Sequence, residues 1–385
     1  MTDLPAILGG LPVFPEGPPV WPGPDPGVRE ALLECWADGS WGAYDGGLVA
    51  RLESTLASWV NRRHALAVAS GTLALELALK AVGVARGDAV VLCDYDYPGN
   101  FLTVHALDAV PLLVDVDAAS GQMSPESLER TLAAADLPRI AAVVLSPMHG
   151  SLPRYERIEA LCKTHGTVLI EDACQVPGAS FGDARAGSFG SISLWSFGGS
   201  KLLSAGRGGI VFCDDAVLFQ RMKMSNTRGS LVAALSELQA AAVLAQWPQF
   251  EKRHEQRAAG AEALRSLVQG MTGIRLPARN HPPKDQAYYK WDFFWNEAEG
   301  GLTRDQLVAA LKAEGIGAEV GFRSLHAGRS RSRYRAHDDL IHSKEQSPQR
   351  IVLHHPVLLQ PDGPQKVAAA LHRMATHARR IAELK

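Results

Sequence analysis

An acidic residue and a lysine follow two apolar segments in the middle of the chain. Asp172 comes after the run Val168-Leu169-Ile170, and Lys201 comes after Trp195-Ser196-Phe197 and two glycines. Short apolar runs bounded by glycine or polar residues are typical of buried strands. Open α/β sheets bind their ligands at the carboxyl ends of the strands. We therefore expect both side chains to reach one ligand at the same edge of a sheet.

Lys201 has unusual neighbours for a lysine, which is ordinarily a solvated surface charge. Its flanks are aromatic, apolar and glycine-rich, and a lysine amine in such a setting can act as a nucleophile toward a carbonyl. The alternative for these glycines is a nucleotide phosphate loop, but the motif G-x-x-x-x-G-K-[ST] fails because Leu202 follows the lysine. We therefore hypothesise that the ligand is pyridoxal phosphate and that Lys201 is its Schiff-base lysine.

Three further side chains could serve the same cofactor. Asp172 could hold the ring nitrogen protonated, so that the ring accepts electrons, although a structural acid bonded to backbone amides is the competing interpretation. Gln175 could hydrogen-bond the phenolic oxygen of the ring. Tyr97 follows the apolar run Val90-Val91-Leu92 and could either stack on a planar ring or pack as a half-buried aromatic residue.

The turn Ser70-Gly71-Thr72 is a candidate phosphate site. It joins a short apolar segment to a helical pattern, and backbone amides at a helix N-terminus, together with a hydroxyl group, suit a phosphate. The same three residues could instead be a simple N-cap. Ser196 offers another hydroxyl group for the phosphate.

The order of apolar and helical segments predicts the fold class. Apolar runs alternate with helical patterns from Ala65 to Phe212, which predicts an α/β fold with a mixed, mostly parallel sheet flanked by helices on both faces. Beyond it, the alanine-rich stretch from Leu231 to Gln246 predicts a long helix that leads toward a smaller α+β C-terminal domain.

We predict three parts along the chain. Residues 1–28 are rich in proline and glycine and are expected to form an extended N-terminal arm, with Val20 and Trp21 as its apolar anchors. Residues 29–247 are expected to form the large cofactor-binding domain. Residues 248–385 are expected to form the small C-terminal domain.

Composition and charge restrict the kinds of molecule that the chain is expected to bind. The chain has 39 basic and 41 acidic residues and a net charge of −2, so it has no basic field for nucleic acid or anionic lipid. It shows neither a basic apolar leader nor an apolar run of membrane-spanning length, so we expect a cytoplasmic protein without a membrane partner. The five cysteines lie far apart and no metal-ligand spacing occurs, so no metal is expected.

Together these residues resemble the DegT/DnrJ/EryC1/StrS sugar aminotransferases, which are fold type I pyridoxal-phosphate enzymes. The resemblance runs from about Leu8 to Arg257. Its motifs fall in the family's order: Ser70-Gly71-Thr72 with Ala74 to Leu79, Gly87-Asp88, Val114-Asp115-Val116-Asp117, Glu171-Asp172-Ala173 with Gln175, Ser196-Phe197 with Lys201, and Gly206 with Gly208-Gly209. The segments Leu8 to Pro12 and Trp21-Pro22 look most like the branch that aminates keto-inositols or makes aminohydroxybenzoate.

The resemblance implies a role for each candidate residue. Lys201 would be the catalytic residue that binds the cofactor covalently, Asp172 would meet the pyridine nitrogen, and Tyr97 would stack on the ring. The phosphate would be held by small and hydroxyl residues: Gly71, Thr72 and Ser196.

The resemblance also implies the reaction. A transaminase of this family would move an amino group from glutamate or glutamine to a nucleotide-linked keto sugar or to a keto-cyclitol. It would act as a homodimer. Two alternatives are a pyridoxal-phosphate-dependent dehydratase of keto-deoxy sugars and a non-catalytic regulatory member. Such dehydratases lack the lysine or carry an iron–sulfur cysteine set, whereas Lys201 is present here and the cysteines show no cluster spacing. A regulatory role is disfavoured because the four residues of the cofactor site are retained: Asp172, Gln175, Ser196 and Lys201.

The chain departs from the family's pattern at three positions. Arg207 stands where many relatives have glutamate, and Gly198 stands where many have histidine. Val232 lies near the position of an asparagine that reaches the phosphate of the neighbouring subunit in many relatives. Beyond Pro283 the resemblance is loose and supplies no substrate-binding residues.

Overall fold

The structure is a computed structural model that describes residues 4–44, 46–228 and 230–384. Its strands, in chain order, are β1 His64–Val68, β2 Ala89–Cys93, β3 Val110–Val114, β4 Ile140–Leu145, β5 Val168–Asp172, β6 Ser180–Phe181, β7 Ala184–Arg185, β8 Ile192–Ser196, β9 Gly209–Cys213, β10 Thr227–Arg228, β11 Ser230–Leu231, β12 Ile274–Arg275, β13 Lys290–Trp295, β14 Ala318–Val320, β15 Arg335–Ala336 and β16 Arg350–His354. The strands make up a large sheet, a smaller sheet and two short hairpins.

The α-helices cover both sheets. They are α1 Pro26–Asp38, α2 Gly47–Trp59, α3 Gly71–Ala81, α4 Pro98–Ala106, α5 Pro125–Ala133, α6 Tyr155–Thr164, α7 Ala216–Ser225, α8 Glu237–Gln246, α9 Phe250–Val268, α10 Glu297–Gly300, α11 Arg304–Ala313, α12 Ile341–Gln346, α13 Gly363–Thr376 and α14 Ala378–Ala382. Among the described residues, no helix combines the length and the apolar character needed to cross a membrane.

The large sheet is mixed and mostly parallel, as the sequence predicts. In the described part of the chain its strand order is β1-β9-β8-β5-β4-β2-β3-β15. Neighbouring strands from β8 to β15 pair in parallel, whereas β9 pairs antiparallel with both β1 and β8. The carboxyl ends of β2, β4, β5 and β8 therefore meet at one edge of the sheet, where ligands bind in such folds.

Strand β2 shows why the sheet is covered on both faces. All five of its residues are buried, and alternate side chains point to opposite faces. Val91 packs in the core beneath α2, α5 and α6, whereas Val90 and Leu92 pack in the core beneath α3, α4 and α7. Helices on both faces are thus the consequence of strands that are apolar at every position.

The C-terminal region contains a second, antiparallel sheet with its own core. Its strand order is β12-β13-β16-β14, and α9, α11 and α13 pack against it. This arrangement confirms the predicted smaller α+β domain. Its predicted start at residue 248 stays a prediction, because α9 contributes Phe250 to the core of the large sheet and Leu264 to the second core.

The N-terminal segment is attached to the C-terminal region through one buried carboxylate. Glu314, directly after α11, is fully buried, and its two carboxylate oxygens accept hydrogen bonds from the backbone amides of Ala6 and Val13, each at 2.9 Å. Phe14 inserts its ring into the C-terminal core. The arm is therefore held by charge-assisted hydrogen bonds as well as by apolar packing.

One of the two expected anchors of the arm is confirmed and the other is wrong. The indole nitrogen of Trp21 donates to the backbone carbonyl of Lys201 at 2.8 Å, and its ring lies edge-on to His355. Val20, in contrast, is 74% exposed. The arm therefore reaches the loop of the candidate catalytic lysine through Trp21.

The helix expected from Leu231 to Gln246 is shorter in the structure. Helix α8 begins at Glu237, because Ser236 and Gln239 form a capping box. In a capping box two side chains satisfy each other's backbone amides and so fix the first turn. The segment before it pairs as the short hairpin of β10 and β11.

We predict that Glu314→Ala lowers the free energy of unfolding by about 3 kcal/mol, because two partly buried amides of the arm lose a charged, fully buried acceptor. Glu314→Gln should cost about half as much, because one acceptor oxygen remains. Urea denaturation measures the loss, and limited proteolysis of the arm reports its release. Glu345→Gln, on the exposed side of α12, is the control. An arm that stays protected in Glu314→Ala would contradict the assignment.

Candidate active site

A cavity of about 590 Å³ lies at the edge of the large sheet. Its wall brings together every residue that the sequence singled out: Gly71, Thr72, Tyr97, Asp172, Gln175, Ser196 and Lys201. The C-terminal region contributes polar and aromatic side chains to the same cavity: Tyr289, Lys290, Glu319, Phe322 and His354. A larger cavity, of about 750 Å³, lies between the arm and α1 and contains none of the predicted site residues.

Lys201 is held by its backbone so that its amine can face the cavity. Strand β8 ends at Ser196, and the Lys201 amide then donates to the carbonyl of Gly198 at 2.9 Å, which closes a turn. The Lys201 carbonyl accepts the indole hydrogen bond of Trp21. The Lys201 amine lies 4.2 Å from the centre of the Tyr289 ring. The Tyr289 ring thus lies beside the Lys201 amine on the cavity wall.

Asp172, at the end of β5, belongs to a buried network with a second carboxyl group. One of its oxygens accepts from the Asn100 side-chain amide at 2.8 Å, and the other accepts from the backbone amide of Cys174 at 3.1 Å. Asn100 also donates to Asp96 at 3.2 Å. Burial and the neighbouring charge of Asp172 raise the pKa of Asp96 well above its usual range. The shift favours the acid form of Asp96. Of the two carboxyl groups, Asp172 lines the cavity, whereas Asp96 lies outside its lining.

The turn before α3 forms a cradle of small residues. The Ser70 hydroxyl accepts from the Leu73 amide at 3.1 Å, so the N-cap interpretation is confirmed for Ser70. A side-chain carbon added to Gly71 would lie 3.0 Å from both the Cys174 sulfur and the Ser196 Cβ atom. Glycine therefore keeps this end of the cavity open beside the helix N-terminus, where an anion is stabilised.

Tyr97 covers one side of the cavity. It is the N-cap residue of α4, its side chain is 44% exposed, and its ring lies edge-on to Phe322, with the ring centres 6.0 Å apart. A Cβ atom at Gly99 would overlap the Tyr97 ring at 2.2 Å. Gly99 therefore allows the ring to lie where it can contact a planar ligand.

Gln175 is only partly free for the role expected of it. Its carbonyl oxygen accepts from the backbone amide of His149 at 2.8 Å. Its amide nitrogen lies 3.8 Å from the Met148 sulfur, which is a weak acceptor. A ligand oxygen could therefore be bound by the Gln175 NH₂ group, and the carbonyl oxygen serves to position His149.

His149 and Tyr289 are cavity residues that the sequence reasoning missed. The His149 Nε2 atom lies 2.9 Å from the Tyr95 hydroxyl oxygen, and burial together with the cations Arg350, Lys290 and Lys201 lowers the pKa of His149 well below its usual range. His149 follows the strand β4, and this position after a strand could have identified it from the sequence. The sequence gives no such indication for Tyr289, because a different sheet brings it to the cavity.

Tyr289 links the C-terminal region to residues 197–201, the loop after β8 that carries Lys201 and that we call the lysine loop. Its hydroxyl oxygen lies 2.8 Å from the Ser200 hydroxyl oxygen, next to Lys201 in the chain. Together with the ring contact to the lysine amine, this contact holds the loop between both sheets. The arrangement places the Lys201 amine, the Asp172 carboxylate and the small-residue cradle at Gly71 around a single cavity, which suits a planar ligand with a basic ring nitrogen at one end and a phosphate at the other.

Comparisons with known proteins agree with this arrangement. The model of the DegT/DnrJ/EryC1/StrS aminotransferase family matches residues 28–372. An L-glutamine:2-deoxy-scyllo-inosose aminotransferase of Micromonospora echinospora is 29% identical over 408 residues, which cover 95% of this chain and 96% of that protein. A GDP-perosamine synthase of Caulobacter vibrioides is 28% identical over 341 residues, which cover 85% of this chain and 87% of the relative.

A solved structure confirms the fold type I architecture expected from the sequence. The crystal structure of 3-amino-5-hydroxybenzoic acid synthase superposes with a TM-score of 0.81 and 25% identity, and the match covers 94% of this chain and 100% of that one. The sequence resemblance is confirmed as well, because the family model spans most of the chain. The protein therefore belongs to the DegT/DnrJ/EryC1/StrS aminotransferase family, and it is an aminotransferase.

Proposed function

We propose that the cavity binds pyridoxal phosphate, the cofactor that membership of the family implies, and that Lys201 binds it covalently. The observation that carries this proposal is that the Lys201 amine, the Asp172 carboxylate and the turn at Gly71 all line one cavity. Lys290 is the other lysine of the cavity lining, and its ammonium group is paired with Glu319 at 3.0 Å. Lys201 is therefore the better candidate for the covalent bond.

The remaining contacts follow from the chemistry of the cofactor. Gly71, Thr72 and Ser196 would hold the phosphate at the N-terminus of α3. Asp172 would pair with the ring nitrogen, Tyr97 would contact the ring face, and the free NH₂ group of Gln175 would bind the phenolic oxygen. When bound, the cofactor supplies a carbonyl carbon that exchanges amino groups and a ring that stores electrons during the transfer.

Each residue of the chain then has a defined task during the reaction. The Lys201 amine takes up and returns the proton that moves when the amino group changes carrier. Asp172 keeps a negative charge at the far end of the cavity, and Asn100 holds it through the hydrogen bond at 2.8 Å. Tyr97 and Phe322 cover one side of the cavity with aromatic rings.

We infer that the amino acceptor is a keto-cyclitol and that the donor is glutamine or glutamate. This is supported by the relative from Micromonospora echinospora, whose name gives glutamine as donor and 2-deoxy-scyllo-inosose as acceptor. A nucleotide-linked keto sugar is the second candidate, supported by the GDP-perosamine synthase. Both acceptors are small metabolites, and the cytoplasmic location expected from the sequence stays a prediction.

We further propose a homodimer. Large aromatic side chains are exposed on α1 and the segment after it: Trp36 is 73% exposed, Trp41 56% and Tyr44 94%. Exposed aromatic residues this close together mark protein interfaces more often than free surface. A second copy of the chain is the partner that the family resemblance implies. The cross-subunit asparagine of many relatives is replaced by Val232, which is 55% exposed.

An acceptor screen tests the proposed reaction directly. The enzyme is first converted by glutamine to the form that carries the amino group, which is followed by absorbance. Each acceptor is then scored by the return of the original spectrum. We expect 2-deoxy-scyllo-inosose to restore the spectrum faster than a nucleotide-linked keto sugar. The opposite order would favour the second candidate.

We predict that Lys201→Ala abolishes both the visible absorbance of the lysine-bound cofactor and turnover, because no other amine takes its place. In the wild-type protein, borohydride reduction should fix the cofactor mass on the peptide that contains Lys201, and mass spectrometry measures it. Lys252→Ala, an exposed lysine on α9, is the control and should behave as wild type. An unchanged spectrum in Lys201→Ala would rule out the assignment.

We predict opposite outcomes for two neighbouring carboxyl groups. Asp172→Asn should lower kcat by about 100-fold or more, because a charge that faces the cofactor is lost. Asp96→Asn should stay within about threefold of wild type, because Asp96 lies outside the cavity lining and its raised pKa favours the acid form, which an amide can replace. Steady-state kinetics measure both. Equal losses would contradict the assignment of the charge to Asp172.

We predict that Trp36→Glu weakens dimerisation by about 30-fold or more, as expected when a central aromatic residue of an interface is replaced. Sedimentation equilibrium measures the dissociation constant. Leu267→Glu changes a 43% exposed residue on α9 and serves as the matched control. A wild-type protein that sediments as a monomer with full activity would contradict the homodimer.

A further inference from the structure

Three polar side chains of the active-site cavity have no task in the proposed cofactor chemistry. Lys290, Glu319 and His354 line the cavity from the C-terminal side, and we call them the polar trio. They stand on the strands β13, β14 and β16, and β16 lies between the other two. Lys290 is directly opposite His354 in the antiparallel register. The sheet itself therefore fixes the spacing of the trio.

The polar trio is centred on one carboxylate oxygen. Glu319 Oε2 accepts a hydrogen bond from the Lys290 ammonium group at 3.0 Å and lies 3.1 Å from His354 Nε2. The second oxygen, Oε1, has no partner within the described ranges 4–44, 46–228 and 230–384. The Glu319 side chain is 51% exposed. One carboxylate oxygen is thus fixed, and the other is available to a ligand.

The charge state of the trio is set by its own contacts. Burial favours the neutral acid, but the hydrogen bonds and charges of Lys290 and His354 outweigh it and hold the pKa of Glu319 below its usual range. Burial and the nearby Lys290 charge lower the pKa of His354, against the effect of Glu319. The shift of Glu319 thus favours its carboxylate form, which accepts hydrogen bonds and donates none.

We propose that Lys290 and Glu319, with His354 holding Glu319 in place, bind adjacent hydroxyl groups of the acceptor ring and so select a polyhydroxylated ketone without a phosphate. The inference rests on the proposed function, because it concerns the acceptor of the same reaction. Each hydroxyl group of a ring can donate one hydrogen bond and accept others. The free Glu319 oxygen accepts from a hydroxyl group, and the Lys290 ammonium group can donate to a neighbouring hydroxyl oxygen. The His354 Nε2 atom is buried against Glu319, so it faces that carboxylate and not the ligand.

The same three residues disfavour a nucleotide-linked acceptor. A diphosphate that approached this wall would meet the Glu319 carboxylate, and the Lys290 charge beside it is already paired. The negative charges of the diphosphate and of the carboxylate repel each other. Arg207, exposed on the cavity lining, is the cation that a diphosphate would use instead. The two kinds of acceptor therefore depend on different residues.

The experiment uses Glu319→Gln in the cofactor-loaded enzyme and measures the two half-reactions separately by stopped-flow absorbance. With 2-deoxy-scyllo-inosose as acceptor, we expect the second half-reaction to slow by about 10- to 100-fold, the range for loss of a hydrogen bond to a charged group. The first half-reaction, with glutamine, should stay within about twofold of wild type. With cyclohexanone, which lacks ring hydroxyl groups, the variant and the wild type should react equally.

A binding measurement complements the kinetics. Scyllo-inositol carries the hydroxyl groups but no ketone, so it can occupy the acceptor position without reacting. Calorimetric titration should show weaker binding to Glu319→Gln, by a similar factor of about 10 or more. Glu345→Gln makes the same change of charge on the exposed side of α12 and should match the wild type in both measurements.

Three outcomes would overturn the inference. Equal slowing of both half-reactions would show that Glu319 acts on the cofactor or on folding and not on the acceptor. Unchanged rates and unchanged inositol binding would show that the polar trio does not touch the acceptor. Faster reaction of wild type with a nucleotide-linked keto sugar than with the cyclitol ketone would show that the wall does not reject phosphate. A wild-type enzyme that fails even the glutamine half-reaction would instead overturn the proposed function itself.

Discussion

The active site depends on a shared hydrogen-bond network between two buried carboxyl groups. Asn100 donates to both Asp172 and Asp96. Burial and the neighbouring Asp172 charge raise the pKa of Asp96 well above its usual range, so the acid form of Asp96 is favoured. Asp172, at the end of β5, lines the cavity, whereas Asp96 does not. The other residues proposed to bind the cofactor surround the same cavity as Asp172.

The lysine loop is positioned by contacts from two other parts of the chain. Trp21 from the arm binds the Lys201 carbonyl, and Tyr289, directly before β13, contacts both Ser200 and the lysine amine. The arm in turn is held by Glu314 of the C-terminal region. The conformation of the loop therefore depends on the packing of the arm and of the C-terminal region, so the formation of the site and the completion of folding are linked.

Much of the fold and half of the site could be predicted from the sequence, for identifiable physical reasons. Apolar runs that alternate with helical patterns predict a parallel sheet, and the rule that ligands bind at strand ends then brings Asp172 and Lys201 together. Tyr289 and the polar trio could not be found in this way, because tertiary packing brings a second sheet to the cavity. The prediction that Val20 anchors the arm was wrong, because apolar character alone does not distinguish a buried anchor from an exposed residue.

The cavity is bounded by two independent cores, and this division has a consequence for how new activities can arise. The residues proposed to hold the cofactor lie at the edge of the large sheet, whereas the polar trio belongs to the C-terminal sheet, which has its own packing. If the proposed roles hold, substitutions on β13, β14 or β16 change which ketone is accepted while the cofactor chemistry is preserved. The fold would then separate a catalytic surface from a second surface that can diversify during evolution.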